Sequence, residues 1–182
     1  VAIFIMSNIF LSSDLHLGHA AILNFKRSDG VTSLRVFEDV THMNEYIIMQ
    51  HNRVVQPSDK WYCLGDIAMN KKFLPILSRM NGEKILIKGN HDLDKASEYL
   101  KYFKDIRAVH QLNGFILSHI PIHPNSLSRW KGCIHGHLHS NVVTLGDTLV
   151  PDTRYTNVSV ECLIDYTPVS LEEVSTLVKI QT

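Results

Sequence analysis

Gly89-Asn90-His91-Asp92 and Gly136-His137-Leu138-His139 are two short polar boxes, each directly after an apolar run of strand character, Lys84–Lys88 and Gly132–His135. Two boxes of the same kind precede them: Asp14-Leu15-His16 after Ile9–Ser13, and Gly65-Asp66 after Lys60–Leu64. Each box delivers Asp, Asn or His at a strand end. These are ligands for a hard or borderline metal ion, and no thiolate is among them. Such repetition predicts one site assembled from several loops.

The chain has 182 residues, enough for one domain with a real core. Formal net charge is zero, so no bulk electrostatic pull toward nucleic acid or membrane is expected. A phosphate-bearing partner would have to be attracted by a metal centre. Of the eleven histidines, His16, His91, His137 and His139 fall in the boxes and His119 follows a further strand-like run. Cys63, Cys133 and Cys162 are widely spaced among apolar neighbours and read as buried, reduced thiols of a cytoplasmic protein. Val1–Met6 is apolar but lacks the length and basic start of a signal peptide, and Met6 could be an internal start.

The first half alternates strand and helix. Strands are expected at Ile9–Ser13, Lys60–Leu64 and Lys84–Lys88. Helices are expected at Glu38–Asn52, Lys71–Met80 and Lys95–Phe103, with a turn or two over His19–Phe25. Pro75 is expected in the first turn of its helix. The second half is richer in strands, at Ile106–Val109, Gly114–His119, Gly132–His135, Val142–Leu145 and Thr156–Val160. Leu171–Ile180 reads as a helix or a late strand. The pattern predicts an α/β fold with two sheets face to face and helices on the outer faces.

Side chains two apart in an extended chain point the same way. Asp14 with His16, and His137 with His139, are therefore expected to approach one centre in pairs. Asp66 supplies a carboxylate able to bridge two cations, Asn90 a neutral amide oxygen, and His119 a further imidazole. In open α/β sheets, ligand sites gather beyond the carboxyl ends of the strands, where these boxes lie. Seven candidates exceed one tetrahedral zinc site. Two ions roughly 3.5–4 Å apart fit better, binding a hydroxide between them and clamping a phosphoryl group for in-line attack. His91 is not needed as a ligand, and a histidine beside a phosphoester suits protonation of the leaving oxygen.

Asp-x-His, Gly-Asp, Gly-Asn-His-Asp, a lone His after a strand and Gly-His-x-His, in that order, resemble the calcineurin-like metallophosphoesterases. Ser13–His19, with Asn157-Val158-Ser159-Val160 and Tyr166-Thr167-Pro168-Val169-Ser170, looks most like small bacterial and phage members. The resemblance implies a four-layer αββα sandwich of two mixed β-sheets. It also implies two divalent metal ions, manganese first, with iron, zinc or nickel as alternatives. It assigns Asp14, His16 and His139 to one ion, Asn90, His119 and His137 to the other, Asp66 as the bridge, and His91 as the general acid. Relatives of the protein phosphatase type carry an acidic residue and an Arg beyond Gly-Asp. Here Ile67-Ala68-Met69-Asn70 follows, so Asp92 is the candidate partner of His91.

His19, Asn90 and Arg129 are the expected substrate contacts. Arg129 lies in the Pro121–Trp130 loop between two ligand boxes and could hold a phosphate bidentately. His19 could instead cap the segment that follows. His135 suits a supporting or core role, and His51 a structural one at a helix end. The leading function is hydrolysis of a small phosphoester, a phosphodiester or cyclic nucleotide before a monoester, with a nucleotide as a natural substrate. A metal-binding scaffold without activity is the rival class. Long nucleic acid would call for a basic groove, which a neutral, short chain does not promise.

Overall fold

The computed structural model describes residues 7–181; the apolar Val1–Met6 stretch and its Met6 lie outside them. In chain order the strands are β1 (Ile9–Ser12), β2 (Lys60–Cys63), β3 (Glu83–Ile87), β4 (Asp105–Arg107), β5 (Val109–Leu112), β6 (Phe115–Ser118), β7 (Gly132–His135), β8 (Tyr155–Asn157) and β9 (Val169–Ser170). The α-helices are α1 (Val40–Val54), α2 (Ala96–Tyr99) and α3 (Leu171–Gln181). The fold is α/β, with two mixed sheets. One has the order β4-β3-β2-β1-β9, parallel except for β9. The other has the order β5-β6-β7-β8, parallel except for β5.

Alternation along the strands builds two cores. Trp61, Cys63 and Leu86 face outward against Met43, Ile47 and Ile48 of α1 and against Leu74 and Leu77. Tyr62, Leu64, Ile85 and Ile87 face inward against Phe115 and Leu117 of β6 and Ile134 of β7. Leu171 and Val174 of α3 join this inter-sheet core. The outer face of the second sheet is covered by the loop after β6, whose Ile122, Leu127 and Trp130 pack on Ile116 and Cys133.

Several elements differ from expectation. Lys71–Arg79 is a 3-10 helix, and Pro75 sits in its middle rather than its first turn. Proline lacks the amide that an α-turn back to Lys71 requires. The expected Lys95–Phe103 helix is α-helical only over Ala96–Tyr99. The run Ile106–Val109 is divided between β4 and β5, which belong to different sheets. Val142–Leu145 is no strand; it holds a single bridge, Thr144 to Pro151, in an exposed loop. Cys63 and Cys133 are buried as expected, whereas Cys162 is exposed; all three are free. No helix among the described residues is long and apolar enough to cross a membrane.

His51 in the last turn of α1 stacks edge-on against Trp61, and its Nε2 lies 3.0 Å from the Asn81 carbonyl. Burial lowers its pKa from 6.5 to about 4. Between those values the unfolded chain takes up a proton that the folded chain refuses. This part of the stability is therefore full above pH 6.5 and lost as pH falls toward 4. At about 1.4 kcal/mol per pH unit, the loss approaches roughly 3 kcal/mol. Urea unfolding at stepped pH should show a shallower acid decline in His51→Gln than in the parent. Parallel curves would contradict the assignment.

Candidate metal centre

The parallel register Ser12↔Cys63↔Leu86 brings the ends of β1, β2 and β3 level, so the loops after them emerge side by side. They are stitched by backbone bonds: the amides of Asp14, His16 and Leu17 donate to the carbonyls of Gly65, Asp66 and Ile67. A bridge between Ser13 and Ser159 joins this edge to the second sheet. Asp14, His16, Asp66, His137 and His139 all hold positive φ, between 48° and 69°. The paired side chains thus meet through tight left-handed turns, not through the extended chain expected from their spacing. Such conformations cost on the order of 1–3 kcal/mol each and cluster at functional sites.

Two glycines make room for this convergence. A Cβ on Gly136 would overlap the Ser13 hydroxyl and the Asp14 carboxylate, and one on Gly89 would overlap Asp66. With them absent, each carboxylate is gripped on one side. Asp14 Oδ2 accepts from the His137 amide and the Ser159 hydroxyl, both at 2.9 Å. Asp66 Oδ1 accepts from the His91 amide at 2.9 Å. The other oxygens face the pocket. Asp14 Oδ1 lies 3.9 Å from His16 Nε2, and Asp66 Oδ2 lies 3.8 Å from His16 Nε2 and 3.4 Å from His119 Nε2.

The web continues through Asn90, whose Oδ1 is 2.9 Å from both His119 Nε2 and His137 Nδ1. His119 Nδ1 lies 2.6 Å from the Leu64 carbonyl, which anchors the ring and turns Nε2 toward the pocket. His139 Nδ1 lies 3.0 Å from Glu161 Oε1, and its ring stacks on His16 at 5.2 Å. All seven predicted ligands are therefore joined by direct contacts.

The charges are unbalanced by burial. Burial raises the pKa of Asp14. It opposes ionisation of Asp66 as well, but hydrogen bonding and charge from His119 outweigh it and hold Asp66 at about 2. Burial, helped by the charge of Arg35, lowers His16 to about 3. Burial also lowers His137. It opposes protonation of His139, yet the hydrogen bond and charge of Glu161 carry that pKa upward.

The donor set fits divalent cations. Asp14 Oδ1 and both ring nitrogens of His16 are buried without a hydrogen-bond partner among the described residues, and Asp14 Oδ1 faces His16 Nε2, a costly arrangement unless something cationic sits between these two atoms. Ligand atoms of Asp14, His16 and His139 lie within 4.8 Å of one another, as do those of Asp14, Asp66 and His119. Oxygen and imidazole donors of this kind suit manganese, iron, zinc or nickel.

Of the remaining predicted residues, His91 is exposed, with its ring 5.8 Å from that of His16. His19 is also at the rim, 5.5 Å from the His16 ring. Asp92 has a different task from the one expected. Its buried carboxylate accepts the amides of Gly89, Asp66 and Ile67 at 2.8–3.1 Å, which locks two ligand loops together. Among the described residues no carboxylate pairs with the His91 ring.

Arg129 is a clearer correction. β6 and β7 are parallel, so the loop after His119 must carry the chain back to the start of β7. The Lys131 amide donates to the Gly114 carbonyl, which puts exposed Arg129 near the amino end of β6. At about 3.3 Å per residue that end is roughly 16 Å from His119.

Two residues that sequence reasoning missed complete the site. Buried Arg35 donates to the Leu15 carbonyl at 2.8 Å and to that of Asp14, and pairs with Glu161 at 2.7 Å. Glu161 in turn holds His139. Burial resists the Glu161 charge, but Arg35 keeps its pKa at about 2. The only local signal was that Glu161 follows the Asn157–Val160 stretch.

No protein-family model matches the chain. A solved archaeal phosphodiesterase is 16% identical over 82% of each chain with a TM-score of 0.46, too distant to bear on function. The solved protein of unknown function AQ665 from Aquifex aeolicus is 27% identical, with a TM-score of 0.69 over 94% of this chain and 99% of that one. The uncharacterized protein MJ1445 of Methanocaldococcus jannaschii is 34% identical over 180 residues, which span 96% of this chain and 93% of that one. With that identity sustained over nearly the full length of both, the chain belongs to the family of MJ1445.

Proposed function

We propose that this chain is a metal-dependent phosphoesterase of the calcineurin-like kind, working with two divalent ions on a small phosphodiester or cyclic nucleotide. The observation that carries the reading is the contact web of seven candidate ligands around buried polar atoms that lack partners among the described residues. Asp14, His16 and His139 would hold one ion and Asn90, His119 and His137 the other. Asp66, whose Oδ2 faces both groups, would be shared. When bound, such ions supply a nucleophile at neutral pH and offset the charge developing on the phosphoryl oxygens. Asp92 and Arg35 keep the ligand loops in place, and Glu161 orients His139. His91, at the rim and outside the ligand web, would give its proton to the leaving oxygen.

A diester is favoured over a monoester because His91 has no carboxylate partner among the described residues to orient its ring as a proton donor. Leaving groups that need less protonation then suit the site best.

The test is reconstitution of metal-free protein with manganese, iron, zinc or nickel, followed by cyclic nucleotides, linear diesters and monoesters. Metal-restored turnover, fastest on diesters, is the expected result. Metal binding without turnover of any ester would make the chain a metal-binding scaffold instead.

A further inference from the structure

A cavity of about 540 Å³ opens beside the metal centre, with His137 and His139 forming the shared wall. Phe25, Lys26 and Arg27 also line it, from the hairpin closed by the Lys26 to Ser33 bridge. Asn141 lines it as well. No Asp or Glu is among its described lining residues. The nearest acidic group on the hairpin, Asp29, is occupied: its carboxylate accepts the Val31 and Thr32 amides and the Thr32 hydroxyl. Arg27 forms no ion pair among the described residues, and Lys26 meets only the Ser33 hydroxyl at 3.1 Å. In a chain of zero net charge, Lys26 and Arg27 are the two basic side chains among the residues that line this cavity, its histidines aside.

Resting on the phosphoesterase reading, we infer that this cavity binds a second phosphate of the substrate. The scissile group would sit at the metal centre and the non-reacting phosphate against Lys26 and Arg27. The substrate class is then a phosphoester bearing a further phosphate, such as a nucleotide phosphorylated at two positions. Arg27 offers a planar fork suited to phosphate and Lys26 a point charge. Both are exposed side chains on a hairpin held by its own backbone bonds, so their removal leaves the fold intact.

A matched pair of substrates isolates the effect: the 4-nitrophenyl ester of thymidine 5′-phosphate, with and without a 3′-phosphate. The parent should prefer the 3′-phosphorylated ester in kcat/KM. The Lys26→Ala/Arg27→Ala variant should lose that preference by about ten- to a hundredfold, the usual range for a lost charged hydrogen bond. Arg129→Ala, at the far end of the sheet, should keep the parental ratio. A parent without preference, or a double variant that retains it, overturns the inference while leaving the phosphoesterase reading intact. If neither ester is hydrolysed, that reading fails, and calorimetry with thymidine 3′,5′-bisphosphate on metal-free protein decides for the cavity alone. Tighter binding by the parent than by the double variant supports the cavity's role; equal binding overturns it.

Discussion

Replacing His91 with alanine is expected to leave the metal content at the parental level while slowing hydrolysis of an alkyl phosphodiester about 10²–10⁴-fold, the usual loss for a missing general acid. The two halves of this expectation come from different atoms. The His91 backbone amide supports Asp66 Oδ1, and alanine keeps that amide. The ring is outside the ligand contacts and near enough to His16, at 5.8 Å, to reach a bound ester. A nitrophenyl ester needs little protonation on leaving and should suffer less. Equal rates for variant and parent on the alkyl diester would remove His91 from the chemistry. A loss of bound metal would instead make it a ligand.

Asp66→Asn should act earlier in the sequence of events, on metal retention. Asparagine keeps an oxygen for the His91 amide and nearly the same shape, but it removes the charge that faces His16 and His119. If Asp66 is shared between two ions, both weaken. Bound metal per chain should then fall clearly below the parental figure. Turnover should drop on the order of 10³-fold, as several kcal/mol of charge stabilisation disappear. Elemental analysis after dialysis, alongside diester hydrolysis, reads both. A variant with parental metal content and rate would show that Asp66 is not a ligand.

The value of each residue was legible from sequence only where chemistry and location coincided. The boxes combine ligand-type side chains with the ends of apolar strands, and parallel strands in register gather their ends at one edge. Lys26 and Arg27 carried no such mark, since a basic dipeptide in a turn is ordinary on any surface. Arg35 looked equally ordinary, yet it is buried and pairs with a glutamate 126 positions away. Asp92 belongs to a ligand box by type, but its carboxylate turns to three amides. Arg129 was misjudged from its place in a loop between two candidate ligand boxes, when the direction of β7 sends that loop to the far edge.

From the sequence alone followed the α/β class, the candidate ligand types and the end of the sheets where those residues collect, because strand period, residue chemistry and the rule of strand carboxyl ends are local or nearly so. Tertiary structure alone decided which oxygen of each carboxylate faces the pocket, that the candidate pairs are bent through left-handed turns, that Glu161 and Arg35 stand behind His139, and which basic residues line the cavity. Those outcomes depend on contacts between residues far apart in the chain. Close packing, with two glycines admitting the carboxylates and a parallel crossover carrying Arg129 away, settles them, and no pattern within a single segment encodes such contacts.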